Sequence, residues 1–129
     1  MSMLDFFQRK PSVPNNLIIA QRKINNLKTM IQSQINRIEK VRSVIFESRT
    51  ISRNIKLGHI ASLDNQKASL LHLQKHLNAL NLDENNIRIL QPQINELETR
   101  ITSQINIINS VLSTMLSIAQ PRRKELENK

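Results

Sequence analysis

Isoleucine and leucine recur every seven residues through most of this 129-residue chain. In an α-helix this spacing returns a side chain to nearly the same face after two turns, so the repeats predict apolar seams along amphipathic helices. The first seam begins at Leu17, and its repeats predict a helix over residues 17–57, about 60 Å long at 1.5 Å per residue. The later positions of this seam are Ile24, Ile31, Ile38 and Ile45.

Two further seams follow the chain's single glycine, Gly58, which we expect to end the first helix and to let the chain turn back. A returning helix is predicted over residues 58–91. A third helix is predicted over residues 92–120, beginning at Pro92, and a charged tail follows at residues 121–129. The seam positions are Leu63, Leu70 and Leu77 in the returning helix, and Ile94, Ile101 and Ile108 in the third helix.

These elements predict an all-α protein, in which a long, coiled-coil-like helical hairpin is followed by a third helix. Asparagine is common in the helices and is a poor helix former, so the helices must owe their stability to packing between the seams. Because three phenylalanines are the only aromatic residues, we expect an elongated chain that forms an oligomer or a filament. The seam residues from Ile24 to Ile108 are the predicted self-association surface.

A short head, residues 1–16, precedes the first helix, and Pro11 and Pro14 separate the two. Within it, four apolar side chains stand directly before two basic ones. This composition is typical of a wedge at the boundary between lipid acyl chains and headgroups, with the cations near the phosphates. The alternative is that the apolar side chains pack against the bundle. The predicted anchoring residues are Met3, Leu4, Phe6 and Phe7, followed by Arg9 and Lys10.

Basic residues outnumber acidic ones by nineteen to ten, and the excess lies in the head and the first helix. Residues 1–57 hold eleven basic and three acidic side chains, whereas residues 58–129 hold eight and seven. A cationic stripe on a long helix indicates contact with an extended polyanion, either an anionic membrane or a nucleic acid. A solvated helix face is the alternative. The cations predicted to bind the polyanion are Arg9, Lys10, Arg22, Lys23, Lys28, Arg37, Lys40 and Arg42.

Residues that carry catalytic chemistry are scarce. The chain has no cysteine, which excludes thiolate metal sites and cysteine nucleophiles. His72 and His76 lie four residues apart, but the residues between them lack the glutamate of a zinc hydrolase helix, so we expect a solvated pair. We therefore expect no enzymatic activity, no metal and no cofactor. Without a recognition helix or an exposed aromatic pair, any nucleic acid is expected to be coated without sequence specificity.

The apolar runs are too short to span a bilayer. Residues 101–121 carry no charge, but they hold ten polar side chains, too many for a hydrocarbon environment. The head lacks a signal-peptide pattern, because its basic residues follow its apolar patch instead of preceding it. The sequence therefore predicts a cytoplasmic protein that binds a membrane peripherally.

Several short motifs accompany the predicted order of head, long basic helix, glycine and returning helix. Ala61 follows Phe46 of the pair Phe46-Glu47 by fifteen residues. With the head, the long basic helix, the glycine tip and the returning helix, these motifs resemble ESCRT-III proteins, especially the archaeal cell-division (CdvB-type) branch, which has a Phe-Glu pair and an alanine at this spacing. Two further segments resemble that branch: Leu82-Asp83-Glu84 with Ile87-Arg88-Ile89, and Leu116-Ser117 with Pro121 and Glu125-Leu126.

The resemblance implies a protein that polymerises into filaments on anionic membranes and remodels them in division or scission, without catalytic residues. Its partners would be copies of itself and the membrane. Recruitment of an AAA ATPase stays open, because no segment like the family's ATPase-docking segment follows Pro121. Two other functions also stay open. One is a basic helical coat on nucleic acid, as in filamentous virus capsids. The other is a replication accessory, since residues 2–7 resemble the tail of a sliding-clamp-binding box.

Overall fold

The computed structural model describes residues 15–119, which form three α-helices joined by two short connections. Helix α1 spans Asn15–Glu47, α2 spans Arg53–Asn78 and α3 spans Ile87–Ala119. No strand occurs within residues 15–119, so the prediction of an all-α fold is confirmed. Helices α1 and α3 have 33 residues each and are about 50 Å long.

Helices α1 and α2 pack as an antiparallel hairpin. Arg42 Nε of α1 lies 3.0 Å from Asp64 Oδ1 of α2, and Glu39 of α1 pairs with Lys67 of α2. Position 42 of α1 faces position 64 of α2, and position 39 faces position 67, so the two helices run in opposite directions.

Helix α3 lies parallel to α1 and packs against both helices of the hairpin. Near the start of the two helices, Lys23 Nζ of α1 lies 3.3 Å from Glu98 Oε1 of α3. Further along, Gln34 Nε2 donates a hydrogen bond of 2.8 Å to Asn109 Oδ1. The chain thus runs up, down and up, and α3 covers the apolar side of the hairpin along its length.

The heptad seams form the core of this bundle. Each seam position from Ile24 onward is at most 3% exposed, Leu17 at the start of the first seam is 8% exposed, and the core continues to the last residue of α3. In this conformation the seams are therefore covered by the same chain, and a second copy cannot reach them. The residues concerned are Ile24, Ile31, Ile38, Ile45, Leu63, Leu70, Leu77, Ile94, Ile101 and Ile108.

The first chain reversal lies at residues 48–52 and not at Gly58, so the predicted end of the first helix at residue 57 is wrong. Gly58 lies in the interior of α2. The reversal ends at Ser52, whose side chain accepts the N–H of Ile55 as the N-cap of α2. Ile51, 8% exposed, fills the core inside the turn. No residue of this turn has a positive φ, so the turn forms without glycine. A prediction based on the position of glycine therefore did not locate the turn.

The second connection, residues 79–86, leads into α3 through a reciprocal cap. The Asp83 carboxylate accepts the N–H groups of Asn85 and Asn86 at 2.8 and 2.9 Å, and the Asn86 side chain accepts the Asp83 N–H at 2.8 Å. Helix α3 consequently begins at Ile87, five residues before its predicted start at Pro92. Pro92 lies inside α3, in its second turn, where it cannot donate a hydrogen bond to the carbonyl four residues earlier.

Candidate anionic-surface interface

Charge is divided unevenly between the hairpin and the rest of the bundle. We call residues 15–78, which contain α1, the turn and α2, the hairpin side. It carries eleven basic and three acidic residues, whereas residues 79–119 carry two basic and four acidic residues. The positive charge of the described chain therefore lies on the hairpin side, whereas residues 79–119 have two more acidic than basic residues.

Three of the predicted α1 cations are engaged within the molecule. Lys23 and Arg42 form the ion pairs with α3 and α2 given above. The Arg37 guanidinium donates to the side-chain oxygen of Asn109. These contacts are solvent-accessible and each contributes at most about 1 kcal/mol to stability, but they reduce the charge that these cations offer to a partner.

Arg22 and Lys40 project from the outer side of α1. They are eighteen residues apart, which is five helical turns or about 27 Å along the same side of the helix. The fully buried Ile31 lies nine residues from each, on the opposite side. Neither cation takes part in an ion pair of residues 15–119. Lys28 is half-buried and lies on the side of α1 that carries Glu39 and faces α2.

The structure adds two cations that the predicted binding set omitted. Arg49 lies in the turn and Arg53 begins α2, and both are exposed. In the sequence, these two cations are indicated by the series of basic residues that continues beyond Arg42. Lys56 of the same run has a structural role instead, because its Nζ donates to the carbonyls of Phe46 and Ser48 at 2.8 Å each and so caps the end of α1.

The predicted membrane-anchoring residues lie outside residues 15–119, together with two of the predicted cations. Their role stays a prediction from the sequence. They are Met3, Leu4, Phe6, Phe7, Arg9 and Lys10.

His72 and His76 face each other on the exposed side of α2. Their Nε2 atoms are 3.2 Å apart, within hydrogen-bond distance. The pair borders open grooves between α2 and α3, where Arg100 is a shared neighbour. Within residues 15–119, no three histidine, cysteine or acidic side chains are grouped closely enough to hold a metal ion. The contact pairs one ring nitrogen of each histidine with its neighbour.

None of the three helices in residues 15–119 combines the length and the apolarity that crossing a bilayer requires. Comparison of the chain with protein families, with curated proteins and with solved structures finds no match in any of the three. The class of protein is therefore defined by the structure: an all-α, three-helix bundle with a positive hairpin side.

Proposed function

We propose that this chain is an ESCRT-III-like, non-enzymatic protein that binds anionic membranes peripherally from the cytoplasm, assembles there with copies of itself, and acts in division or scission. The single observation that carries the proposal is the division of charge, with eleven basic and three acidic residues on the hairpin side. Each lysine or arginine near an anionic membrane contributes about 1 kcal/mol of attraction. A positive side about 50 Å long can therefore lie along such a surface.

Contacts between copies belong, in this proposal, to the exposed apolar side chains and not to the seams. Exposing one fully buried isoleucine costs about 1.5–3 kcal/mol. Separating the helices to expose the seams is therefore energetically unfavourable. Helices α1 and α3 carry exposed large apolar residues in their first halves instead. These are Ile18, Ile19, Met30 and Ile89.

Membrane binding is tested by co-sedimentation with phosphatidylserine vesicles. We expect the double variant Arg22→Gln, Lys40→Gln to bind about tenfold or more weakly, because it removes two cations that form no ion pair within residues 15–119. The matched control is Arg88→Gln, Arg100→Gln, which removes two cations from α3 and should bind almost as the unmodified chain does. Binding should weaken between about 0.1 and 0.5 M salt as the charges are screened.

Three outcomes contradict the proposal. The first is no sedimentation with anionic vesicles at low salt, and the second is an equal loss in both double variants. The third is tighter binding to a single-stranded oligonucleotide than to vesicles, which favours a nucleic-acid coat. Electron microscopy with and without vesicles tests assembly, and isolated single molecules on the vesicle surface would contradict that part.

A further inference from the structure

Four exposed apolar side chains gather at the end of the bundle where α1 meets α2. Phe46 is the next-to-last residue of α1, Ile118 is the next-to-last of α3, and Ile55 and Leu57 lie in the first turns of α2. They are 64%, 45%, 54% and 55% exposed, respectively. We call this end of the molecule, with residues 46–57 and Ile118, the turn end.

The turn end is held together by side-chain hydrogen bonds to helix termini. Lys56 joins the first turn of α2 to the last turn of α1, as described above. The hydroxyl groups of Ser48 and Thr50 lie 3.4 and 3.3 Å from the carbonyl oxygen of Ala119, the last residue of α3. The exposed apolar side chains are therefore presented by an ordered scaffold that joins all three helices.

Positive charge surrounds these apolar side chains. Arg49 and Arg53 are exposed, and Glu47 is the single acidic residue of the segment 46–57. The charge at the turn end is thus complementary to an anionic partner and not to a basic one.

The shape of the turn end favours a deformable partner. Ile55 and Leu57 are two residues apart, so they project about 200° apart around α2. The apolar side chains therefore surround the end of the bundle instead of lining one groove. A fluid bilayer can enclose a convex apolar end, whereas a folded protein would need a matching cavity. Phe46 is the single aromatic residue of segment 46–57, so successive bases would find no second aromatic face on which to stack.

We propose that the turn end inserts into an anionic bilayer, with its apolar side chains at the boundary of acyl chains and headgroups and with Arg49 and Arg53 at lipid phosphates. This inference rests on the proposed function and adds the part of the molecule that anchors it. The hairpin side supplies long-range attraction, and the turn end supplies apolar burial.

Insertion is tested by fluorescence, because the chain has no tryptophan and no tyrosine. With phosphatidylserine vesicles, F46W fluorescence should shift to shorter wavelength and be quenched by lipids brominated on their acyl chains. The matched control is L71W, which changes a leucine that is 44% exposed and lies in the second half of α2, away from the turn end. We expect its quenching to be less than half as strong.

A second test measures how strongly variants of the chain partition from water onto phosphatidylserine vesicles. The double variant Phe46→Ser, Leu57→Ser should bind vesicles about tenfold more weakly, because two apolar side chains no longer leave water. The control Leu71→Ser, Ile107→Ser removes two exposed apolar residues away from the turn end and should bind normally. Circular dichroism melting of each variant confirms that the bundle is retained.

The outcomes separate this inference from the function on which it rests. If the unmodified chain binds anionic vesicles but F46W is not quenched and both serine variants bind normally, the turn end is not the anchor and the proposed function stands. If the unmodified chain does not bind, both proposals fail. An F46W shift caused by an oligonucleotide, and absent with vesicles, also overturns the inference.

Discussion

At the scale of single residues, one polar side chain interrupts the apolar core of the described chain. Gln34 is 4% exposed, and the other buried residues of the region 15–119 are hydrophobic. Its amide donates to Asn109, whose oxygen also accepts a hydrogen bond from Arg37. A buried amide is costly unless it is hydrogen-bonded. Sliding α3 along α1 by one turn would separate this pair, so the pair favours a single register between the two helices.

The variant Asn109→Ala should therefore lower the free energy of unfolding by about 1–3 kcal/mol, because the Gln34 amide loses its acceptor while it stays buried. Arg37→Ala is the control, since the arginine is exposed and Asn109 still accepts the hydrogen bond from Gln34 in this variant. It should cost less than about 1 kcal/mol. Urea unfolding of both variants measures the difference. Equal costs would mean that the buried amide gains little from this contact.

At the scale of the helices, the boundaries depend on capping groups more than on glycine and proline. The sequence pattern placed a chain reversal at Gly58 and a helix start at Pro92, and both residues lie inside helices. The termini lie instead where Ser52 and Asp83 bind free backbone N–H groups. Serine occurs twelve times in this chain, so its presence alone does not distinguish a cap from a solvated side chain.

Because Gly58 is helical, Gly58→Ala should stabilise the protein by about 0.5–1 kcal/mol, through the lower conformational freedom of alanine in the unfolded chain. A methyl group at this position would meet no atom within 4 Å. The reverse change on the same helix, Ala61→Gly, should destabilise by a similar amount, since Ala61 is also exposed. Thermal unfolding measures both. A destabilised Gly58→Ala variant would indicate that the glycine belongs to a turn after all.

At the scale of the whole molecule, α3 decides which isoleucines are core and which are surface. Ile101 is fully buried, whereas Ile107 on the same helix is 53% exposed. The two side chains are chemically identical, so their energetic difference comes from the packing of α1 and α2 against one side of α3.

Ile101→Ala should accordingly cost about 2–5 kcal/mol of unfolding free energy, from lost apolar burial and the cavity left behind. Ile107→Ala should change stability by less than about 1 kcal/mol. Denaturant unfolding followed by circular dichroism compares them directly. Similar losses would show that Ile107 is covered in solution, for example by a second copy of the chain.

The sequence by itself determined the helical class and the side of each helix that is buried. Heptad spacing fixes these features because side-chain direction in a helix depends only on residue number. The order of lysine and arginine along the chain also located the basic excess in its first part.

The tertiary structure decided what those faces contact. It closed the seams within one chain, paired Lys23 with Glu98 and Arg42 with Asp64, and left Arg22 and Lys40 outside every ion pair of residues 15–119. It also brought the end of α1 to the same end of the bundle as the end of α3. Such neighbours are far apart in the sequence, and their contact depends on the direction and register in which the helices pack. A seven-residue repeat is compatible with several directions and registers, so only the packed chain selects one.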